Sequence, residues 1–347
     1  VAYGEPVRRA APRTYRARRR IRPTALGAIV ALIVLAAPLA AACHLLADKA
    51  QVLEHKARTF LSPQEWSGRG QAALVLGDGH PTVSPHQEPV PIASLAKVMT
   101  AYLTLERHPL SGGEDGFTMT VSAAQAQAVA AEADEGQSVV AVRAGERLTE
   151  RQLLEALLIP SGNNIARMLA VGVAGSESDF VNAMNDEAGS LGMDQTTYTD
   201  PSGFDPDTVS TAADQLRVFR RAMRYPVFRQ IVSMPAATLP VAGRVTNFNP
   251  LLAQGYAGKT GSDSAAGGCL AFFTQVTAGG RRRTAVGVVM GQGEGSDTAA
   301  LLAAAADAAE GLVGSAAVRD GARAGAFRPH MENRIPAGNT PLPRLAP

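Results

Sequence analysis

Strand-like runs stand at both ends of the central region of this chain and helix-like runs fill the stretch between them, an order that few architectures accommodate. Near the start, Gln71 leads into Ala72-Ala-Leu-Val-Leu76. A turn-rich Gly77-Asp-Gly-His-Pro81 and a second extended piece with prolines at 85, 89 and 91 follow, and together these read as a hairpin. Near the end, Gly268-Cys-Leu-Ala-Phe-Phe-Thr-Gln-Val276 and Thr284-Ala-Val-Gly-Val-Val-Met290 flank a polar Gly-Gly-Arg-Arg-Arg turn and read as another hairpin. In between, the apolar period changes. Leu95, Val98, Met99, Tyr102 and Leu103 recur at the spacing of one helix face. Thr149-Glu-Arg-Gln152 is a capping-box pattern ahead of Leu153, Leu154, Leu157 and Leu158, and Pro160 stops that helix. Further helices are expected at about 165–173, 177–190, 211–224 and 298–313. Distant strands must pair while the helices stay covered. The expected fold class is therefore α+β, one antiparallel sheet flanked by helices with an all-α insertion, over residues 67–316.

What precedes that domain is of a different kind. Residues 1–23 carry eight arginines and one glutamate, and residues 25–43 carry no charge at all. Nineteen residues at ~1.5 Å each nearly cross a hydrocarbon layer of ~30 Å. Segment 24–44 is thus expected to be a transmembrane anchor or an export signal, with the basic head on the cytoplasmic side and the bulk of the chain outside it. Residues 45–66 read as a linker and residues 317–347, with prolines at 329, 336, 341, 343 and 347, as a disordered tail. Beyond residue 23 the balance is 25 basic against 30 acidic side chains, a net of −5, which gives no electrostatic reason to expect nucleic acid as a partner. Two cysteines make no disulfide framework, and metal-ligand spacing is absent. Cys43 follows small residues, but Leu39 lies one place too far upstream for a lipoprotein signal. Cys269 lies in an apolar run and reads as core.

The most informative count is of lysine. The sequence has 33 lysines and arginines, and only those at 49, 56, 97 and 259 are lysine. Where arginine serves almost every surface, a retained lysine asks for something arginine cannot do, namely to give up its proton. Lys97 follows Ser94 by three residues, so on a helix the two side chains can touch. Ser94 at the start of that helix also sits beside unpaired backbone N–H groups and the positive end of the dipole. Taken alone, Ser94 is as readily an ordinary N-cap and Lys97 a solvated helix residue. Ser161-Gly162-Asn163 in the turn after a helix, and Lys259-Thr260-Gly261 leading into the final strands, change that weighing.

With these three pieces in this order the chain resembles the serine penicillin-binding proteins, and among them the low-molecular-mass D-alanyl-D-alanine carboxypeptidases. The likeness covers roughly residues 70–300, through Ser94-Leu-Ala-Lys-Val-Met-Thr-Ala101, Gly145-Glu-Arg-Leu-Thr149, Leu157-Leu-Ile-Pro-Ser-Gly-Asn163 and Asp200-Pro-Ser-Gly-Phe-Asp205. The resemblance implies Ser94 as nucleophile, Lys97 as its proton acceptor, Ser161 as a proton shuttle, Asn163 as a ligand of the substrate amide and Lys259 as an electrostatic partner. It implies further that Thr260 binds the terminal carboxylate, that Gly261 leaves room for the substrate strand, and that the Ser262 N–H joins that of Ser94 in an oxyanion hole. The substrate so implied is a peptidoglycan stem peptide ending in D-Ala-D-Ala, with β-lactam antibiotics as inhibitors and no cofactor or metal.

Two departures from the family pattern qualify the reading. No Glu-x-x-Leu-Asn-like element stands between Ser161 and Lys259 to activate a deacylating water, so efficient penicillin destruction is not expected. The stretch Met290-Gly-Gln-Gly-Glu-Gly-Ser-Asp297 lacks the arginine with which some relatives hold the substrate carboxylate, which leaves Thr260 alone, Arg244, or an arginine from 281–283. Two other functions remain to be weighed: a β-lactamase or D-peptide or ester hydrolase of the same fold, and a catalytically silent penicillin-sensing or wall-binding domain. Intact Ser94, Lys97 and Lys259 argue against the silent domain.

Overall fold

The computed structural model describes residues 59–62, 66, 69–111 and 113–326. The expected basic head 1–23, the apolar segment 24–44 with Cys43, the linker up to residue 58 and the tail beyond residue 326 lie outside the described residues. In chain order the strands are β1 (Thr59–Phe60), β2 (Gln71–Leu76), β3 (Thr82–Val83), β4 (Val90–Pro91), β5 (Thr118–Thr120), β6 (Arg147–Thr149), β7 (Val209–Ser210), β8 (Ala236–Leu239), β9 (Gly243–Thr246), β10 (Ala257–Asp263), β11 (Gly267–Ala278) and β12 (Arg281–Gln292). The helices are α1 (Ala96–Arg107), α2 (Ala123–Asp134), α3 (Glu150–Leu158), α4 (Asn163–Ala174), α5 (Glu177–Ser190), α6 (Ala212–Ala222), α7 (Pro226–Val232) and α8 (Thr298–Ala326).

Six strands form the main sheet in the order β1-β3-β2-β12-β11-β10, so the N-terminal hairpin joins the C-terminal one directly. Every pairing is antiparallel except the short parallel contact of β1 with β3. Alternation along the strands separates two cores. Ala73, Val75, Cys269, Ala271, Val288 and Met290 face the helical insertion, where α1 is buried from Ala96 to Leu105. Ala72, Leu74, Leu270, Phe272, Ala285 and Val289 face α8. The result is three layers, with a mainly helical insertion between β3 and β10 that also holds the two-stranded sheets β4–β7, β5–β6 and β8–β9.

Local chemistry accounts for the boundaries. The capping box expected at Thr149 is formed, with the Thr149 hydroxyl accepting from the Gln152 N–H and the Gln152 side chain accepting from the Thr149 N–H. The final hairpin turns on Gly279 and Gly280 alone, both at positive φ of 57° and 74°, which is the two-residue turn that matches strand twist. Arg281, Arg282 and Arg283 therefore belong to β12 rather than to the turn. Further along, Met290 and Gly291 together oppose Cys269, a bulge with Gly291 at φ 71°.

Two described elements extend beyond the expected bounds 67–316. Leu61 is buried in the second core and Trp66 packs against it, so the sheet begins inside the expected linker 45–66. Helix α8 runs to Ala326, past the expected edge of the tail at 317; Leu301, Ala305, Ala309, Leu312 and Ala316 are buried and give its first part a face of mostly small side chains. Its stretch Thr298–Ala322 is long and apolar enough to cross a membrane by length and composition. That face, however, is already spent on the core.

Candidate active site

Ser94 sits in a 3-10 turn, Ala93–Leu95, that runs straight into α1. Lys97, in the first turn of α1, is wholly buried, and its Nζ lies 2.6 Å from Ser94 Oγ, 2.7 Å from Asn163 Oδ1 and 3.0 Å from the Ser202 carbonyl oxygen. Two of these three partners are carbonyl oxygens, which only accept. The third is a hydroxyl, which also donates. A neutral amine satisfies all three by giving its two N–H groups to the carbonyls and turning its lone pair to Ser94.

Burial is the first cause holding Lys97 well below the ordinary lysine range. The ammonium of Lys259 pushes in the same direction, Asp200 opposes it, and Arg167 adds to the lowering. Lys259 is itself buried, and desolvation brings it down to about 7. Its Nζ donates to Ser161 Oγ at 2.9 Å and to the Thr260 carbonyl at 2.7 Å. The cluster thus holds two hydrogen-bonded groups, one around Lys97 and one around Lys259, close enough for the Lys259 ammonium to disfavour the charged form of Lys97.

Sheet position explains how Lys259 arrives there. Strand β10 is the edge of the main sheet, and its other side lies against the 3-10 turn of Ser94. A side-chain carbon at Gly261 would stand 3.1 Å from the Ile92 carbonyl oxygen and 3.1 Å from Ser94 N, so this closeness needs glycine or a small retreat. Thr260 and Ser262 flank it on the same strand. The site also stores backbone strain. Among the described residues, Ala93 at φ 45° and Ser161 at φ 65° are the non-glycine residues with positive φ, one directly before Ser94 and the other in the Ser-Gly-Asn turn.

The loop Asp200–Asp205, singled out in the sequence only by likeness, turns out to supply the Ser202 carbonyl to Lys97. The Asp200 carboxylate organises it by accepting from the N–H groups of Ser202 at 3.0 Å, Gly203 at 3.0 Å and Phe204 at 3.2 Å, from the Ser202 hydroxyl, and from Thr208 Oγ1 at 2.9 Å. Sequence reasoning missed this support, and also missed Gln137, whose Oε1 accepts from Asn163 Nδ2 at 3.0 Å. No motif marked Gln137, because it belongs to a connecting segment without apolar periodicity.

The arginines of the final hairpin lie away from the site. Arg281–Arg283 face Val276–Ala278 on β11 whereas Lys259 faces Ala271, which puts them roughly 20 Å along the strand from the site at ~3.3 Å per residue. Arg283 is paired with Asp320 there, Nε to Oδ2 3.3 Å. Arg244 is exposed on β9. Cys269 is core, as expected: its thiol is buried, lies 3.7 Å from the Ala266 carbonyl, and is pushed up to about 12 by burial. Among the described residues no group of three or more His, Cys, Asp or Glu side chains is placed to hold a metal ion.

Solved proteins share this fold. The crystal structure of the Streptomyces K15 DD-transpeptidase matches with a TM-score of 0.60 at 25% identity, over 72% of this chain and 96% of that one. A fold of this kind around a Ser-Lys pair defines a serine penicillin-binding DD-peptidase. The D-alanyl-D-alanine carboxypeptidase family, peptidase S11, matches residues 82–293, and the chain belongs to it. A D-alanyl-D-alanine carboxypeptidase of Mycobacterium tuberculosis, DacB2, is 34% identical over 210 residues, 58% of this chain and 67% of the relative. A D-alanyl-D-alanine endopeptidase of Escherichia coli is 31% identical over 244 residues, 65% of this chain and 73% of the relative. The protein is a serine-type hydrolase of this family, and the α+β fold and family resemblance read from its sequence both hold.

Proposed function

We propose that the protein removes the terminal D-alanine from peptidoglycan stem peptides through an ester on Ser94. The observation that carries this reading is the wholly buried Lys97 with its Nζ 2.6 Å from Ser94 Oγ and two carbonyl oxygens engaging its N–H groups. Ser94 Oγ attacks the carbonyl carbon of the penultimate D-alanine while Lys97 takes its proton. The oxyanion that forms is met by the N–H groups of Ser94 and Ser262, at the helix mouth and on the edge of β10. The C–N bond then breaks, and the departing amine takes a proton from Lys97 by way of the Ser161 hydroxyl, which lies 2.9 Å from Lys259 Nζ. Asn163 Nδ2 has two hydrogens, of which one goes to Gln137 and the other serves a substrate carbonyl. Thr260 takes the substrate carboxylate, with the Lys259 ammonium beside it. Water finally cleaves the ester and restores Ser94.

The same attack opens a β-lactam ring, and the resulting ester is expected to persist because the sequence has no Glu-x-x-Leu-Asn-like element between Ser161 and Lys259 to activate water against it. The polypeptide acts outside the cytoplasm, and segment 24–44 attaches it to the plasma membrane or directs its export.

Incubation with benzylpenicillin followed by peptide mass mapping is expected to find the drug bound at Ser94, and the protein is expected to release D-alanine from a peptide ending in D-Ala-D-Ala. Fast turnover of a chromogenic cephalosporin without accumulated ester would mean a β-lactamase instead, and absence of any adduct would mean a silent domain.

The two amines also set a pH dependence. Lys97 acts without its proton, so acylation rises as pH passes upward through its lowered pKa. Lys259 acts with its proton, so acylation falls as pH passes upward through about 7. A bell-shaped profile of kcat/KM is therefore expected for acylation, with the alkaline limb set by Lys259. A rate still climbing at pH 9 would remove Lys259 from this role.

A further inference from the structure

The Asn163 side chain has two ways to lie, and only one of them serves the base. With Oδ1 toward Lys97, as found at 2.7 Å, the amide accepts an N–H and leaves the amine its lone pair. Turned over, Nδ2 would face the amine, and the lone pair would be used to accept that N–H. Ser94 would then have nothing to give its proton to. What fixes the choice lies on the far side of the amide.

There Asn163 Nδ2 donates to Gln137 Oε1 at 3.0 Å, and Arg167 Nη1 and Nη2 each donate to the same oxygen at 3.3 Å. Gln137 Nε2 in turn donates to Glu135 Oε2 at 2.8 Å. A guanidinium only donates and a carboxylate only accepts, so the Gln137 amide is held with its oxygen toward Asn163 by partners that admit no alternative. Arg167 is itself held by Glu132, Nη2 to Oε1 2.6 Å. The backbone fastens the segment at the same place. Asn163 N donates to the Ser138 carbonyl at 2.7 Å, and the Asn164 amide bonds both to Val140 N at 3.0 Å and to the Val140 carbonyl at 2.8 Å.

We infer that Gln137 is a positioning residue that locks the Asn163 amide with its oxygen toward Lys97 and so reserves the lone pair of that amine for Ser94. The inference rests on Lys97 being the base. Gln137 touches neither the nucleophile nor the base and acts only through Asn163. The charged groups that bear on Lys97 are Lys259 on β10, Asp200 in the loop after α5 and Arg167 on α4, while Glu132 on α2 pairs with Arg167. A neutral substitution at 137 leaves the charge of each of these groups unchanged.

The test is the acylation rate with a fluorescent penicillin, followed against pH for the parent, Gln137→Leu and Gln137→Glu. Leucine removes the acceptor. Loss of one discriminating hydrogen bond is expected to lower the limiting rate about tenfold. It should also move the acid limb to lower pH, because the turned amide donates to the neutral amine and favours it. Glutamate keeps an acceptor toward both Asn163 and Arg167, so it is expected to recover the limiting rate. Its negative charge favours the ammonium of Lys97 and moves the acid limb to higher pH. Opposite displacements of the limb support the inference. A leucine variant within twofold of the parent, a slow one with an unmoved limb, or a glutamate variant as slow as leucine would each overturn it. Should Gln137→Leu fail to fold, a folded Gln137→Glu with a limiting rate about tenfold below the parent overturns it equally. Parent-like labelling of Lys97→Arg is a different result, which strikes the proposed function itself.

Discussion

Lys97→Arg is expected to lower the rate of acylation by penicillin about 10²- to 10⁴-fold, the range over which a positioned base contributes. Arginine keeps the positive charge, and its five N–H groups still suit the acceptors Asn163 Oδ1 and Ser202 O. What it lacks is a lone pair at any accessible pH. The substitution therefore separates charge from titration. Labelling with a fluorescent penicillin measures the effect, Ser94→Ala gives the unlabelled baseline, and a circular dichroism melt shows whether the variant has folded around the bulkier group. A folded Lys97→Arg that labels at the parent's rate would dismiss Lys97 as the base.

The second large effect is steric. Gly203 has φ +77°, and a side-chain carbon there would stand 1.8 Å from the Ala93 carbonyl oxygen and 2.6 Å from the Ala93 carbonyl carbon. Both are backbone atoms, so no rotamer relieves the overlap. Gly203→Ala is expected to cost about 3 kcal/mol, the upper end for a point substitution. Because the displaced residue adjoins Ser94, acylation is expected to fall on the order of 100-fold. Gly255 provides the control. It shares the positive φ, at 84°, but a carbon there meets nothing within 4 Å, so Gly255→Ala should show only the conformational penalty of about 1–2 kcal/mol. Urea midpoints compare the two, and equal losses would show that φ rather than the close approach to Ala93 governs Gly203.

The pairing of Ser94 with Lys97 was legible because it is local: three residues on one helix turn bring a hydroxyl and an amine together whatever the rest of the chain does. The same holds for the Thr149 capping box and for helix α5, whose bounds, Glu177–Ser190, match the expected 177–190. Helix α2 was not anticipated. It has no buried residue, so it carries no apolar stripe for a periodicity argument to find. The short hairpin β8–β9 escaped for a similar reason, since four-residue strands give little pattern.

The sequence alone determined the scarcity of lysine and the order of its motifs. It also determined which residues of the strongly periodic helices and strands would turn inward, since those follow from residue chemistry and from the periods of 3.6 and 2. Only the tertiary structure decided that the Ser202 carbonyl, far along the chain, would take one N–H of Lys97, and that Gln137 and Arg167 would hold the Asn163 amide in one sense. Neither placement is marked by spacing or propensity. Each depends on where the sheet edge and the start of α4 bring the backbone, and a side chain's donor or acceptor role is settled only by the partners that packing sets against it.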